Sequence, residues 1–162
     1  MRKFTFFVFM MCSFVYAQNY TNKANRKSAE RCLKVAENYL MTGDFSNAKS
    51  QAFLGITYDD SISDLYYVNA AVQAHENVPK AEILSTLNTA FIKDNWIGYS
   101  LNGARILYAD LLCETKLYEK SLEVLNEEPY IYSADAEIIR IKNLYRIGSE
   151  KSIAEARSKI NT

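Results

Sequence analysis

Apolar or small side chains recur at Ala29, Cys32, Leu33, Ala36, Tyr39 and Leu40, the i, i+3, i+4, i+7 spacing that gives a helix one buried stripe. Gly43 follows where such a helix must stop and turn back, because glycine tolerates a positive φ. Asp44 is placed to cap the next helix through its carboxylate, and Phe45, Ala48, Ala52 and Ile56 restart the stripe. The same alternation of striped segment and polar break continues to the end of the chain. It predicts helices over residues 28–42, 46–57, 62–75, from Pro79 to about 92, 100–115, 118–126 and 134–147, and an eighth through Ile153, Ala154, Ala156 and Ile160. Residues 93–99, with Trp96 and Gly98, interrupt the pattern as a longer connection. Pro129 ends the sixth helix, since the residue before proline is pushed out of the helical region. No segment alternates with period two between turn residues, so no sheet is predicted. Only five glycines and two prolines occur in 162 residues, which suits long helices.

Aligning the second helix of each pair on its small residue puts Ala48, Ala81, Ser121 and Ala154 in one column, 33, 40 and 33 residues apart. The longer interval is the same unit plus the insertion around Trp96. Phe45, Val78 and Tyr118 each lie three places before the column. A fixed period of this size marks a stacked repeat: one hairpin cannot bury its own stripe, and stacking several makes a continuous core. A non-repetitive helical bundle is the alternative reading of the same stripes.

The first seventeen residues are written differently. A basic head, Met1-Arg2-Lys3, precedes an almost wholly apolar run from Phe4 to Val15, and Val15-Tyr16-Ala17 supplies small residues for cleavage before Gln18. That is the three-part layout of an export signal, and the run is short for a membrane span, which needs about 20 residues. An uncleaved anchor, or a lipoprotein acylated at Cys12, are the other readings. Residues 18–27 are polar and Asn-rich and read as a flexible leader, leaving 28–162 as one helical domain. The full chain has 19 basic and 19 acidic residues; loss of Arg2 and Lys3 leaves the mature chain slightly acidic, with no basic stripe for a phosphate backbone. Cys32 and Cys113 are expected to remain free, because helix axes about 8–10 Å apart exceed the reach of a disulfide.

At these residues the chain, from Ala29 to its C-terminus, resembles a divergent tetratricopeptide repeat (TPR) protein. The first unit carries Ala36, Tyr39, Gly43-Asp44-Phe45 and Ala48, and the third Ala109, Leu112, Tyr118, Ser121 and Leu122. The second has Asn69 where Gly or Ala is usual, and Asp60 stands where the first unit would close on proline. The resemblance implies an all-α fold, a right-handed superhelix of about four antiparallel helix pairs. It further implies that the first helix of each pair lines a groove for a protein or peptide partner. The positions it points to are Lys34, Glu37, Met41, Tyr66, Tyr67, Gln73, Asp110 and Glu114.

No catalytic, metal or cofactor signature accompanies this scaffold. His75 is the only histidine, the cysteines are too few and scattered for zinc, and no phosphate loop or nucleophile elbow occurs. Asp59-Asp60 lacks the remainder of a calcium loop. The expectation is a non-enzymatic, exported scaffold of the cell envelope or periplasm, without cofactor. An envelope-assembly or enzyme-accessory factor and a small helical-bundle hydrolase are the alternatives, and a homodimer through the C-terminal helices is a further expectation.

Overall fold

A computed structural model describes the backbone of residues 2–98 and 100–160 and the side chains of residues 22–98 and 101–160. Eight helices are formed among the described residues: α1 (Arg2–Met41), α2 (Phe45–Tyr58), α3 (Ser63–His75), α4 (Lys80–Lys93), α5 (Ser100–Glu114), α6 (Tyr118–Asn126), α7 (Ala134–Ile147) and α8 (Glu150–Ile160). They pair as antiparallel hairpins, α1/α2 through α7/α8, and each first helix packs on the first helix of the next hairpin. The result is an all-α solenoid of four units, with no strand among the described residues.

The repeat is written most regularly in its turns. Each first helix ends at a residue with positive φ: Gly43 (77°), Asn77 (56°), Lys116 (66°) and Gly148 (74°). In the first three hairpins the chain closes with a backbone bond five residues back, Asp44 to Tyr39, Val78 to Gln73 and Leu117 to Leu112, the signature of a left-handed helix stop. Gly43 and Gly148 adopt this conformation without the steric cost borne by Asn77 and Lys116. Asp44 then caps α2, accepting from the Asn47 backbone N–H at 3.2 Å, and Ser133 caps α7 through Ala136.

These turns correct the column predicted for the second helices. Ala48 and Ser121 are fully buried, four residues after the caps Asp44 and Leu117. Ala81 and Ala154 are exposed. The second turn holds one residue more, so that α4 is capped at Pro79 and Ile83 takes the buried place. In α8 the buried positions are Ser152 and Ala156.

Three apolar clusters run along the solenoid. Ala29, Leu33, Ala48, Ile62, Leu65 and Val68 fill the first junction. Ala70, Ile83, Leu87, Ala104 and Leu111 fill the second, and Ala109, Leu125, Ile131, Ala136 and Ile139 the third. Burying side chains such as Leu65, Leu87 and Leu125 stabilises the fold by roughly 1.5–3 kcal/mol each. Gly55 allows the tightest contact: a methyl group there would lie 2.6 Å from the Leu65 side chain and 3.2 Å from Cys32 Cβ. Cys32 is buried, Cys113 half-buried, and both are free thiols.

The predicted export signal, residues 1–17, has its side chains outside the described residues. Residues 18–27, expected as a flexible leader, continue the backbone of α1. Arg26 supplies a reason: it donates to Asp59 Oδ2 and Ser61 Oγ, both at 3.2 Å, and reaches Asn95 Oδ1 at 3.5 Å. The insertion is fastened to the same spot. Asp64, at the start of α3, accepts from the backbone N–H groups of Ile97 (2.8 Å) and Gly98 (3.2 Å), while Ser63 and Asn95 exchange hydrogen bonds.

Candidate functional site: a groove along the first helices

One side of the solenoid carries three adjoining hollows. The first, about 870 Å³, lies between α1 and α3 and is bordered by Lys34, Glu37, Met41, Tyr67 and Ile97. The second, about 450 Å³, is walled by Ala71, Ala74, Ile106, Leu107, Ile138 and Ile139. The third, about 350 Å³, contains Asp110, Cys113, Glu114, Lys142 and Arg146. Tyr67 and Gly103 border both the first and the second, and Asp110 and Lys142 border both the second and the third. The three therefore form one groove crossing α1, α3, α5 and α7.

Tyr67 is the hinge of this surface. Its phenol lies against α5 at Gly103, where an added methyl group would meet Tyr67 Oη at 2.7 Å. Only a residue without a side chain leaves that seat open. Burial pushes the Tyr67 hydroxyl up from its ordinary range, and the nearby Glu37 carboxylate adds to the shift. The hydroxyl therefore stays protonated and is a standing hydrogen-bond donor at the junction of two hollows.

The centre has apolar walls rimmed by His75, Asp110, Asp135 and Lys142, and the two ends are more strongly charged. Lys34 and Glu37 stand at the α1 end. At the far end Lys142 approaches Asp110 at 3.9 Å and Lys80 holds Glu114 at 2.8 Å. Burial, then Asp110, raises the Cys113 thiol above its usual range, so it is protonated and a poor nucleophile near neutrality. No three His, Cys, Asp or Glu side chains among the described residues are grouped to hold a metal ion.

The structure brings together six of the eight positions expected from sequence. Lys34, Glu37, Met41, Tyr67, Asp110 and Glu114 all border the groove. Tyr66 and Gln73 do not border any of its hollows. Tyr66 donates to the Asp60 carbonyl at 3.1 Å, because adjacent helical residues are set about 100° apart and only one of the pair can face the groove. Gln73 is buried and donates toward Glu82 of α4 at 3.4 Å. Sequence reasoning missed the apolar centre and the whole α7 wall. Ile138 and Lys142 lie four apart on α7, and that spacing, at half-exposed positions of a first helix, was the available signal.

No family model matches the chain. An uncharacterized protein of Treponema pallidum (strain Nichols) is 30% identical over 122 residues, which is 75% of this chain but 15% of that protein. The chain thus spans a small part of this much longer relative. Among solved structures, the TPR2B domain of yeast Sti1, determined in a complex with pHsp70, aligns with a TM-score of 0.51 and 20% identity. The alignment covers 83% of this chain and 97% of that domain. The fold is TPR-like. At this identity the likeness concerns the fold alone, and the TPR-like groove described above rests on this chain's own residues.

Proposed function

We propose that the chain is a non-enzymatic TPR-like scaffold that holds an extended or helical segment of a partner protein in the groove along α1, α3, α5 and α7. The observation that carries this reading is the continuity of the groove through Tyr67 and Gly103, which joins an apolar centre to charged ends. An apolar anchor of the partner fits among Ala71, Ala74, Ile106 and Ile138, while Lys34 and Lys142 meet flanking polar groups. Such a division between apolar centre and polar rim is the usual anatomy of a recognition surface. The solved TPR2B complex with pHsp70 supports the assignment of partner binding to this type of fold.

The basic head, apolar run and small-residue cleavage site of residues 1–17 support export, with the scaffold working in the cell envelope or periplasm. A mature N-terminus at Gln18, measured by mass spectrometry of the protein recovered from cell fractions, is the expected result; an intact Met1 in the cytoplasmic fraction alone overturns it. Exposed Tyr145 and Ile160 on the last hairpin support a second contact there, with a homodimer as the form to test by solution mass.

The groove itself is tested by selecting binders from a displayed peptide library on the purified chain. Tyr67→Ala should weaken the selected peptides about tenfold or more, equivalent to about 1.4 kcal/mol, and Tyr66→Ala should leave them unchanged. Equal loss from both variants, or from neither, refutes the groove assignment.

A further inference from the structure

On the other side of α5 lies a fourth hollow of about 390 Å³, between α4, α5, the end of α6 and the insertion. It shares no lining residue with the groove. Phe91, Trp96 and Tyr108 line it. Phe91 meets Trp96 at 5.9 Å with the rings tilted 49°, and Tyr108 at 5.4 Å with an angle of 74°. The three rings thus present non-parallel faces and edges.

Its remaining polar lining is mostly acidic: Asp94, Glu127 and Glu128, all exposed, against the single guanidinium of Arg105. That guanidinium is buried and committed. It donates to the carbonyls of Val124 at 2.7 and 3.1 Å, of Pro129 at 2.8 Å, and of Glu127. Asp94 and Glu127 enter no ion pair among the described residues, and Glu128 uses one oxygen on the Tyr130 backbone N–H. Asp94 and Glu127 are also the C-caps of α4 and α6. The C-terminal end of α4 therefore opens on the hollow with negative polarity, while the last carbonyls of α6 are already met by Arg105.

Aromatic walls, three exposed carboxylates against one guanidinium and the C-terminus of α4 favour an organic cation. We infer that this hollow receives a basic side chain, lysine or arginine, of a partner polypeptide, at a site separate from the groove. The carboxylates select between kinds of cation. A primary ammonium or guanidinium donates hydrogen bonds to Asp94 and Glu127, whereas a quaternary ammonium has no donor to offer. The volume accommodates one such side chain and its stem.

Trp96 is the only tryptophan of the chain, so its emission reports this site directly. The full chain is titrated with Nα-acetyl-arginine amide and Nα-acetyl-lysine amide, with Nα-acetyl-norleucine amide and tetramethylammonium as comparison probes. The expected result is a saturable change of Trp96 emission with at least one basic probe, weakened about tenfold or more in the double variant Asp94→Asn, Glu127→Gln and by raised salt. Asparagine tolerates the left-handed backbone at position 94, and unchanged helical circular dichroism confirms that this variant is folded. Ile138→Ala, which changes the groove wall at a residue outside the apolar cluster that holds Trp96, should leave the titration unchanged, so the two proposals fail independently. No saturable response to either basic probe overturns the inference. So does an equal response to the norleucine probe, which makes the hollow merely apolar, or to tetramethylammonium, which removes the role of the carboxylates.

Discussion

The first junction of the solenoid and the last are built on the same backbone plan with different chemistry. Between α1, α2 and α3 the space is closed by Ala29, Leu33, Ala48, Ala52, Leu65 and Val68, with Gly55 drawing the helices together. Between α5, α6 and α7 an apolar cluster is interleaved with Arg105, Ser121, Arg140 and Asn143, all buried. Arg140 is 1% exposed. It donates to the Ile131 carbonyl and Asn126 Oδ1, both at 3.0 Å, to Glu137 at 2.6 Å and to the Leu125 carbonyl. Its guanidinium also lies 3.9 Å from the centre of the Tyr130 ring. Asn143 donates to Ser121 Oγ at 2.7 Å, and Ser121 in turn to the Ala109 carbonyl at 2.6 Å, tying α7 to α6 and α5.

The difference follows from the short α6. This helix spans nine residues, and its last carbonyls and those of the irregular 127–133 segment are turned inward, where water does not serve them. Arg105 and Arg140 fill that need from α5 and α7. The first junction closes over an apolar cluster, and its buried polar groups, Ser63 and Asp64, sit at the start of α3, where they accept from the backbone N–H groups of Asn95, Ile97 and Gly98. At the last junction a buried charge contributes as a donor to backbone oxygens more than as a partner in an ion pair.

The comparison breaks most severely at Arg140. Arg140→Met keeps much of the volume but leaves the Leu125 and Ile131 carbonyls without their donor. At roughly 1–3 kcal/mol for each stranded group, a loss of about 4 kcal/mol is expected in urea unfolding. A loss below about 1 kcal/mol would show that the last junction is held by its apolar cluster alone. Leu65→Ala tests the first junction: a cavity there should cost about 3 kcal/mol, with no dependence on pH or salt. A solenoid gains its stability between neighbours, so each variant should loosen its own end first, visible as hydrogen exchange concentrated in α6–α8 or in α1–α3.

The same contrast decides what the sequence made legible. The helix count, the pairing and several boundaries, such as 118–126 and 134–147, follow from stripes and breakers. The first unit was read well because its core is apolar and its turn carries glycine. The turns at 77–79 and 116–117 were legible from Asn, Pro and the break in the stripe, but Lys116 does not signal a positive φ, and nothing showed that the second turn holds one residue more. Without that extra residue the register of α4 slipped, and Ala81 stood in for Ile83. In the last units Arg140 and Asn143 sit buried where a stripe should be apolar, so the α7 face toward the groove, with Ile138 and Lys142, was not separated from its buried face. Tyr66 and Tyr67 show the finest limit: neighbouring tyrosines are equivalent in composition, and only the seat at Gly103 distinguishes them.

The mildest effect comes from acid and touches both ends, Asp59 beside Ser61 and Arg26 at the first and Glu137 at the last. Burial alone would raise the Glu137 carboxyl, but hydrogen bonds from Lys159 and Tyr130 and the charge of Arg140 outweigh it and hold Glu137 below the ordinary glutamate range. Below about pH 4.3, where an unperturbed glutamate takes up a proton, the unfolded chain binds more protons than the folded one. The contribution of Glu137 is therefore complete above that pH and is lost as pH falls through the lower folded-state value. Its side chain is 35% exposed, so solvent screening limits the contribution to about 1 kcal/mol or less. Glu137→Gln should accordingly flatten the fall in stability below about pH 4.3 relative to the parent chain, as measured by urea midpoints on the acid side of that pH. Carried in the Leu65→Ala background, the same substitution should produce the same flattening, because the partners that hold Glu137, Lys159, Tyr130 and Arg140, all belong to the last junction and effects at distant sites add; a different response there would mean that the two ends of the solenoid are energetically coupled.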